Sequence, residues 1–157
     1  MNKSANGVAS LCVNNQDFFY VRRNARYEQV RFSELIYVKA MRGYVQVVTE
    51  RQAYIVQVRI QDIQKQLPPE QFCRTHRSYI VAIKRIISFD NFVLELEPPP
   101  EGKVYQSVLA RKTQLPLGKH YRVRLRQSVN LIKNRMGAKS KAFLEAKFKN
   151  EYDLAEE

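Results

Sequence analysis

Phe72-Cys73-Arg74-Thr75-His76-Arg77-Ser78-Tyr79-Ile80-Val81-Ala82-Ile83 joins a cationic, polar cluster directly to an apolar run. That junction predicts a loop or strand edge whose polar end meets a charged partner while Tyr79, Ile80 and Val81 anchor it in a core. Arg77 can chelate a phosphate or a guanine edge, His76 can donate from a ring nitrogen, and Ser78 offers a small donor. A buried His76 that only fixes the loop accounts for the same residues.

Outward from that stretch, alternation of period two dominates. Tyr54, Val56, Val58 and Ile60 fall on one face, with Ile55, Gln57 and Arg59 on the other, the pattern of a half-buried strand. Similar runs occupy Phe18 to Arg22, Tyr27 to Phe32, Ile36 to Met41, Val45 to Thr49, Ile86 to Phe89, Phe92 to Leu96 and Val104 to Ala110. Turns fit at Arg23-Asn24-Ala25, Arg42-Gly43, Glu50-Arg51 and Asp90-Asn91, where Asn, Asp or Gly relaxes into unusual backbone angles or the residues are simply polar. The spacing predicts a mainly β, antiparallel, hairpin-rich protein.

Two helices interrupt it. Ile60, Ile63 and Leu67 recur at three and four residues, which predicts one short internal helix ending before Pro68-Pro69. From Gly118 onward Tyr121, Leu125, Val129, Ile132 and Met136 follow helical spacing. The steps of four, three and four from Leu125 to Met136 suit either packing on the sheet or a short coiled-coil seam between subunits. After Gly137 the chain is polar with scattered Phe143, Leu144 and Phe148, as in a frayed helix or a disordered tail.

Composition points to the partner. Twenty-seven Lys and Arg against 15 Asp and Glu give a net charge of +12 over 157 residues. Such an excess steers and holds phosphate backbones without specifying sequence, and a merely basic soluble protein carries it too. The length fits one domain with a tail and buries roughly 70% of the unfolded surface, so stability needs no disulfide or metal. Cys12 and Cys73 are the two cysteines. Gly7 to Val13 is too weak and broken for an export signal, and no apolar run approaches the roughly 20 residues of a membrane span. A reduced cytoplasmic setting without membrane contact is expected.

Donors sit at two further places. Arg42 and the Tyr44 phenol flank Gly43 in a tight turn between strand patterns, free to meet phosphates or bases, or to be a solvated hairpin tip. Lys119-His120-Tyr121-Arg122 follows Leu115-Pro116-Leu117-Gly118 into the second helix, where unpaired backbone N–H groups add to side-chain charge, or where the charge is ordinary surface. DNA binding requires all three elements to converge on one face. Catalysis finds little support: no Gly-rich phosphate loop follows a strand, and no Ser, His and acid arrangement stands out. Cys73 and His76 have a local metal-pair spacing, but no second pair follows.

The Phe-x-Arg-x-His-Arg-Ser-Tyr-Ile-Val string resembles the signature of the LytTR DNA-binding domain of bacterial transcriptional regulators. Two weaker signals flank it: Leu35-Ile36-Tyr37-Val38-Lys39-Ala40 with Gly43-Tyr44-Val45, and Leu115-Pro116-Leu117-Gly118-Lys119-His120-Tyr121-Arg122. Together they cover roughly Phe18 to Leu125. The resemblance implies an elongated fold of short antiparallel sheets that places loops into successive major grooves on one face of duplex DNA. Matched by position, Tyr44 falls near the family's first major-groove residue, Arg77 at the intervening backbone contact, and Lys119 at the second major-groove residue. Arg is commoner there, and Lys keeps the charge but loses the bidentate fork.

Two departures from the pattern stand out. The family string usually continues Val-Asn, whereas this chain has Val81-Ala82. Asp90 through Gln114, with Glu97-Pro98-Pro99-Pro100-Glu101-Gly102, is longer than the usual final hairpin, so Arg111 or Lys112 competes with Lys119 for the second groove. The expected organisation is an extension over residues 1–17, a LytTR-like domain over 18–126, and a helical or partly disordered extension over 127–157. With some 17 residues before the first strand, a free-standing domain without a receiver is expected. Its expected partners are duplex DNA bearing a repeated site and, through the C-terminal helix, a second copy or a signalling protein; no cofactor is expected. The rival reading is an RNA- or single-strand-binding β protein, with Phe18, Phe19, Tyr20, Tyr27, Tyr37 and Tyr44 as stacking platforms.

Overall fold

The computed structural model describes residues 16–98, 113–132, 139, 142–143 and 145–147. Its central feature is an antiparallel sheet of β3 (Leu35–Met41), β4 (Tyr44–Thr49), β5 (Ala53–Val56), β6 (Phe72–His76) and β7 (Tyr79–Ala82). Their order is β5-β4-β3-β7-β6, so β7 lies between β3 and β6. The stretch read as a loop or strand edge is thus a hairpin whose second strand is internal. Tyr79 and Val81 feed one apolar cluster while Ile80 and Ala82 feed another. A strand covered on both faces has no polar position to fill, which is why the run is uninterrupted.

One face of this sheet is covered by a ribbon of β1 (Phe18–Arg23) and β2 (Arg26–Arg31) together with helix α1 (Ile60–Gln66). Val21, Val30 and Phe32 meet Val38, Val47 and Ile80 there, with Ile60, Ile63 and Leu67 from the helix. The other face receives a three-stranded sheet, order β10-β9-β8, made of β8 (Ile86–Phe89), β9 (Val93–Leu96) and β10 (Thr113–Pro116). Leu94, Leu96 and Leu115 pack against Ile36, Val48 and Val81. Helix α2 (Arg122–Ser128) closes a third cluster, in which Leu125 and Leu117 bury Cys73. Each fully buried aliphatic side chain contributes about 1.5–3 kcal/mol.

The internal helix is where its spacing put it. Leu67 caps it in an extended conformation (φ −94°, ψ 132°), the geometry that the following Pro68 demands. The strand expected from Tyr54 to Ile60, however, stops at Val56. Ile60 fits both periods, and the helical one prevails because only a helix buries Ile60, Ile63 and Leu67 on one face. Gln57, Val58 and Arg59 are exposed between the two elements.

The C-terminal stripe is also shorter than its spacing. Helix α2 ends at Ser128, whose hydroxyl donates back to the Arg124 carbonyl at 2.8 Å, and Val129 is extended at φ −119°, ψ 151°. Ser, Val and Asn at 128–130 are weak helix formers. Ile132, fully exposed, thus lies beyond the helix, so the described residues do not carry the stripe from Leu125 to Ile132 on one helix. Met136 lies outside the described residues. So do Cys12, the Gly7–Val13 run, the strand expected from Val104 to Ala110, Arg111, Lys112, and residues 99–102 of the Pro-rich loop. Leu144 is outside too, as is Phe148; Phe143 is helical and exposed. Among the described residues no helix is long and apolar enough to cross a membrane.

Candidate nucleic-acid interface

The β3–β4 turn closes in two residues, with Met41 opposite Tyr44. Gly43 takes φ +75°, a conformation that costs a side-chain-bearing residue a clash with its own backbone, and this tightness holds Arg42 and Tyr44 at the tip. Both are exposed, Tyr44 at 46%.

The β6–β7 turn is held from inside. A bulge at Thr75 shifts the register between the Arg74–Ile80 and His76–Tyr79 pairs. Arg74 then reaches under the turn: Nε donates to the His76 carbonyl at 3.1 Å, Nη2 to the Arg77 carbonyl, and Nη1 to Gln64 Oε1 of α1 at 3.0 Å. The His76 ring completes the lock, because its Nδ1 accepts the Ser78 backbone N–H at 3.1 Å. Only neutral imidazole can do so. Burial, followed by the Arg77 and Arg74 cations, pushes the His76 pKa below its ordinary value, which favours that form. His76 thus fixes the turn through Nδ1, and the neutral ring keeps its proton on Nε2. Ser78 is half-buried, and Arg77 is exposed at the tip.

The third element starts at Gly118. Lys119–Tyr121 form a 3-10 turn that runs into α2, with Lys119 and His120 exposed. A Cβ at 118 would lie 3.0 Å from Tyr121 Cδ2 and 3.4 Å from His76 Cδ2, so glycine permits the close approach of the two turns. Arg122 differs from its neighbours: it is half-buried, with its guanidinium carbon 5.1 Å from the Phe92 ring centroid and its Nε buried without a hydrogen-bond partner. It braces the β8–β9 turn. Arg126 does likewise through a 2.5 Å hydrogen bond to Asn91 Oδ1.

Three backbone hydrogen bonds lace these elements together. Ala40 donates to the Ser78 carbonyl at 2.7 Å, Gly118 to the Thr75 carbonyl at 2.8 Å, and Leu117 to the Phe92 carbonyl at 2.7 Å. The turns at 42–43, 77–78, 118–120 and 90–92 therefore occupy one end of the molecule. Among the described residues Arg42, Arg77 and Lys119 form no ion pair, so their charge is available to an anion. Sequence reasoning missed Arg74, Asn91 and Arg126. The signal that could have found the first is its place two residues before His76, which in a strand puts both side chains on one face.

The remaining candidates separate. Of the six aromatic residues suggesting a stacking platform, Phe19 packs against the first core and Tyr37 against the second. Tyr20 and Tyr27 are exposed, but on the β1–β2 ribbon rather than beside Tyr44. The Cys73 thiol is buried 3.9 Å from the Ser128 hydroxyl, burial raises its pKa, and among the described residues no group of three or more candidate metal ligands gathers.

Comparison with known proteins returns one family. The sequence matches the LytTr DNA-binding domain over residues 25–130. The sensory transduction protein LytT of Bacillus anthracis is 26% identical over 102 residues, covering 65% of this chain and 38% of that protein. LytT of Bacillus cereus matches at the same identity and coverage. The chain thus spans 38% of the length of these relatives. A solved LytTr DNA-binding domain from Bacillus cereus has the same fold, with a TM-score of 0.57 at 18% identity over 74% of this chain and all of that one.

Proposed function

Since this chain belongs to the LytTr DNA-binding domain family, we propose that it is a sequence-specific transcriptional regulator that grips duplex DNA with the laced end of its sheets, in the bacterial cytoplasm. The observation that carries this reading is the convergence of Arg42, Tyr44, Arg77, Lys119 and His120, exposed on turns joined by backbone hydrogen bonds. Loops at 42–44 and 118–120 enter successive major grooves, and Arg77 meets the phosphate backbone between them. Tyr44 and Lys119 read base edges. Lys119 does so as a point charge, with looser discrimination than an arginine fork. Arg42 and His120 flank these contacts on phosphates. His76 and Ser78 shape the middle turn, and Arg122 fixes the third element from behind. Residues 18–126 suffice for this contact, and the chain beyond them serves a second copy or a signalling partner on a repeated site.

The test is selection from a random-sequence duplex pool at near-physiological salt, followed by sequencing of the retained DNA. Enrichment of a spaced repeat is the expected outcome. Retention of duplexes without any motif, or preference for single strands in competition, would overturn it.

A further inference from the structure

Phe92 is 69% exposed, yet it is firmly held. Asp90 Oδ1 accepts the backbone N–H groups of Phe92 at 2.6 Å and Val93 at 2.9 Å, which fixes the turn. The Phe92 carbonyl is tied to Leu117, and the Arg122 guanidinium lies over the ring. Arg126 reaches the same turn through Asn91. The Asp90 turn is closed by backbone N–H groups, and of these contacts only the one with Arg122 uses an aromatic ring at 92. The exposed ring contributes little to the core and stands on the laced end, on a turn whose carbonyl is tied to Leu117, two residues before Lys119.

We infer that the Asp90–Val93 turn, with Phe92 and Arg126, is a fourth duplex-contacting element that grips the sugar–phosphate backbone beyond the Lys119 loop. The inference rests on the reading of the laced end as a DNA interface and extends it. A phenyl ring has no donor or acceptor for a base edge, but its apolar face suits the C–H surface of a deoxyribose. The Arg126 charge suits the adjoining phosphate, because its hydrogen-bond partner, Asn91, is neutral. Asp90 is the acid at this tip. Its pKa is lowered first by the Phe92 and Val93 backbone hydrogen bonds and then by Arg122, so it is ionised, but its Oδ1 is turned into its own turn and Arg122 and Arg126 outnumber it. Such an element adds affinity and footprint length without altering the preferred sequence.

The experiment titrates a target duplex, a random duplex and a single strand of the target across a salt series. The proteins are wild type, Phe92→Ala, Arg126→Gln and Arg77→Ala, each first checked for an unchanged thermal unfolding midpoint. Phe92→Ala should weaken both duplexes alike, about fivefold, with the salt slope unchanged. Arg126→Gln should weaken both and lower the slope by about one unit. Hydroxyl-radical protection should shrink at one edge of the footprint in both variants. If both bind duplex as wild type does while Arg77→Ala is weakened, the fourth element is overturned and the parent interface stands. If Arg77→Ala also matches wild type, the parent reading fails. A Phe92→Ala loss confined to the single strand would mark a base-stacking ring and overturn the backbone grip.

Discussion

Arg74 and Arg77 are three residues apart and do opposite things. The first satisfies its guanidinium inside the protein and holds the turn; the second stands at the tip with its charge unspent. Arg77→Ala should therefore weaken binding to any duplex and reduce the salt dependence by about one unit of slope, as measured by fluorescence anisotropy from low to moderate salt. Tyr44→Ala and Lys119→Ala should instead lower the ratio of target to random-duplex affinity, by about 1–3 kcal/mol at each position. His76 adds a pH dependence. Its pKa is depressed in the fold, so as pH falls the unfolded chain takes up the proton first. Its contribution to stability is complete above the ordinary imidazole value near 6.5 and is lost as pH falls towards the depressed one. Asn in its place can still accept the Ser78 N–H. Urea midpoints of wild type minus those of His76→Asn should be flat above about pH 6.5 and fall below it. The sequence left His76 poised between contacting and fixing, because a histidine reveals its role only through the atom facing its ring nitrogen, here a backbone N–H two residues on.

Among the elements, those whose side chains have one periodicity were legible and those with two were not. Strands β3, β4 and β8 fall within a residue or so of their alternating patterns, and α1 was marked at both ends by Ile60 and Pro68. Ile60 completes both a strand and a helix pattern, so alternation alone carries the Tyr54 strand past its end at Val56. The Leu125 stripe rests on spacing alone, which takes no account of the poor helix formers at 128–130, where the helix stops. The β3–β4 hairpin depends on one backbone angle. Nothing lies within 4 Å of a Cβ built at Gly43, so Gly43→Ala tests φ alone. It should cost about 1 kcal/mol in chemical denaturation, from left-handed strain on an L-residue.

Over the whole molecule, the laced end is balanced by a buried ion pair at the other end of β4. The Arg85 guanidinium meets Glu50 and the Ser33 carbonyl, joining the start of β3 to the link between β7 and β8. Glu50→Ala would leave Arg85 buried beside an empty position, and a loss of about 3–5 kcal/mol in urea unfolding is expected. Duplex affinity of the folded fraction should be unchanged, since the tips lie at the opposite strand ends. Replacing both partners by Met and Leu should recover most of the loss. Neither this pair nor the β5-β4-β3-β7-β6 order could be read from the chain, because the partners lie 35 residues apart and β7 inserts beside a strand remote in sequence. Convergence of the tips was hidden for the same reason: the atoms that join them belong to residues 40, 75, 78, 92, 117 and 118.

Those joining atoms are all main-chain, three N–H groups and three carbonyls that every residue but proline carries. The side chains at positions 42, 44, 77 and 119 take no part in the lacing, so exchanging them leaves the spacing and pitch of the loops intact. The framework behaves like a printing press with movable type: the letters can be reset one at a time while the frame keeps its alignment. A library randomised at those four positions, proline excluded, should yield folded proteins throughout, with recognition redistributed among them. With these tips as the proposed DNA contacts, single substitutions there should shift DNA preference and leave folding untouched.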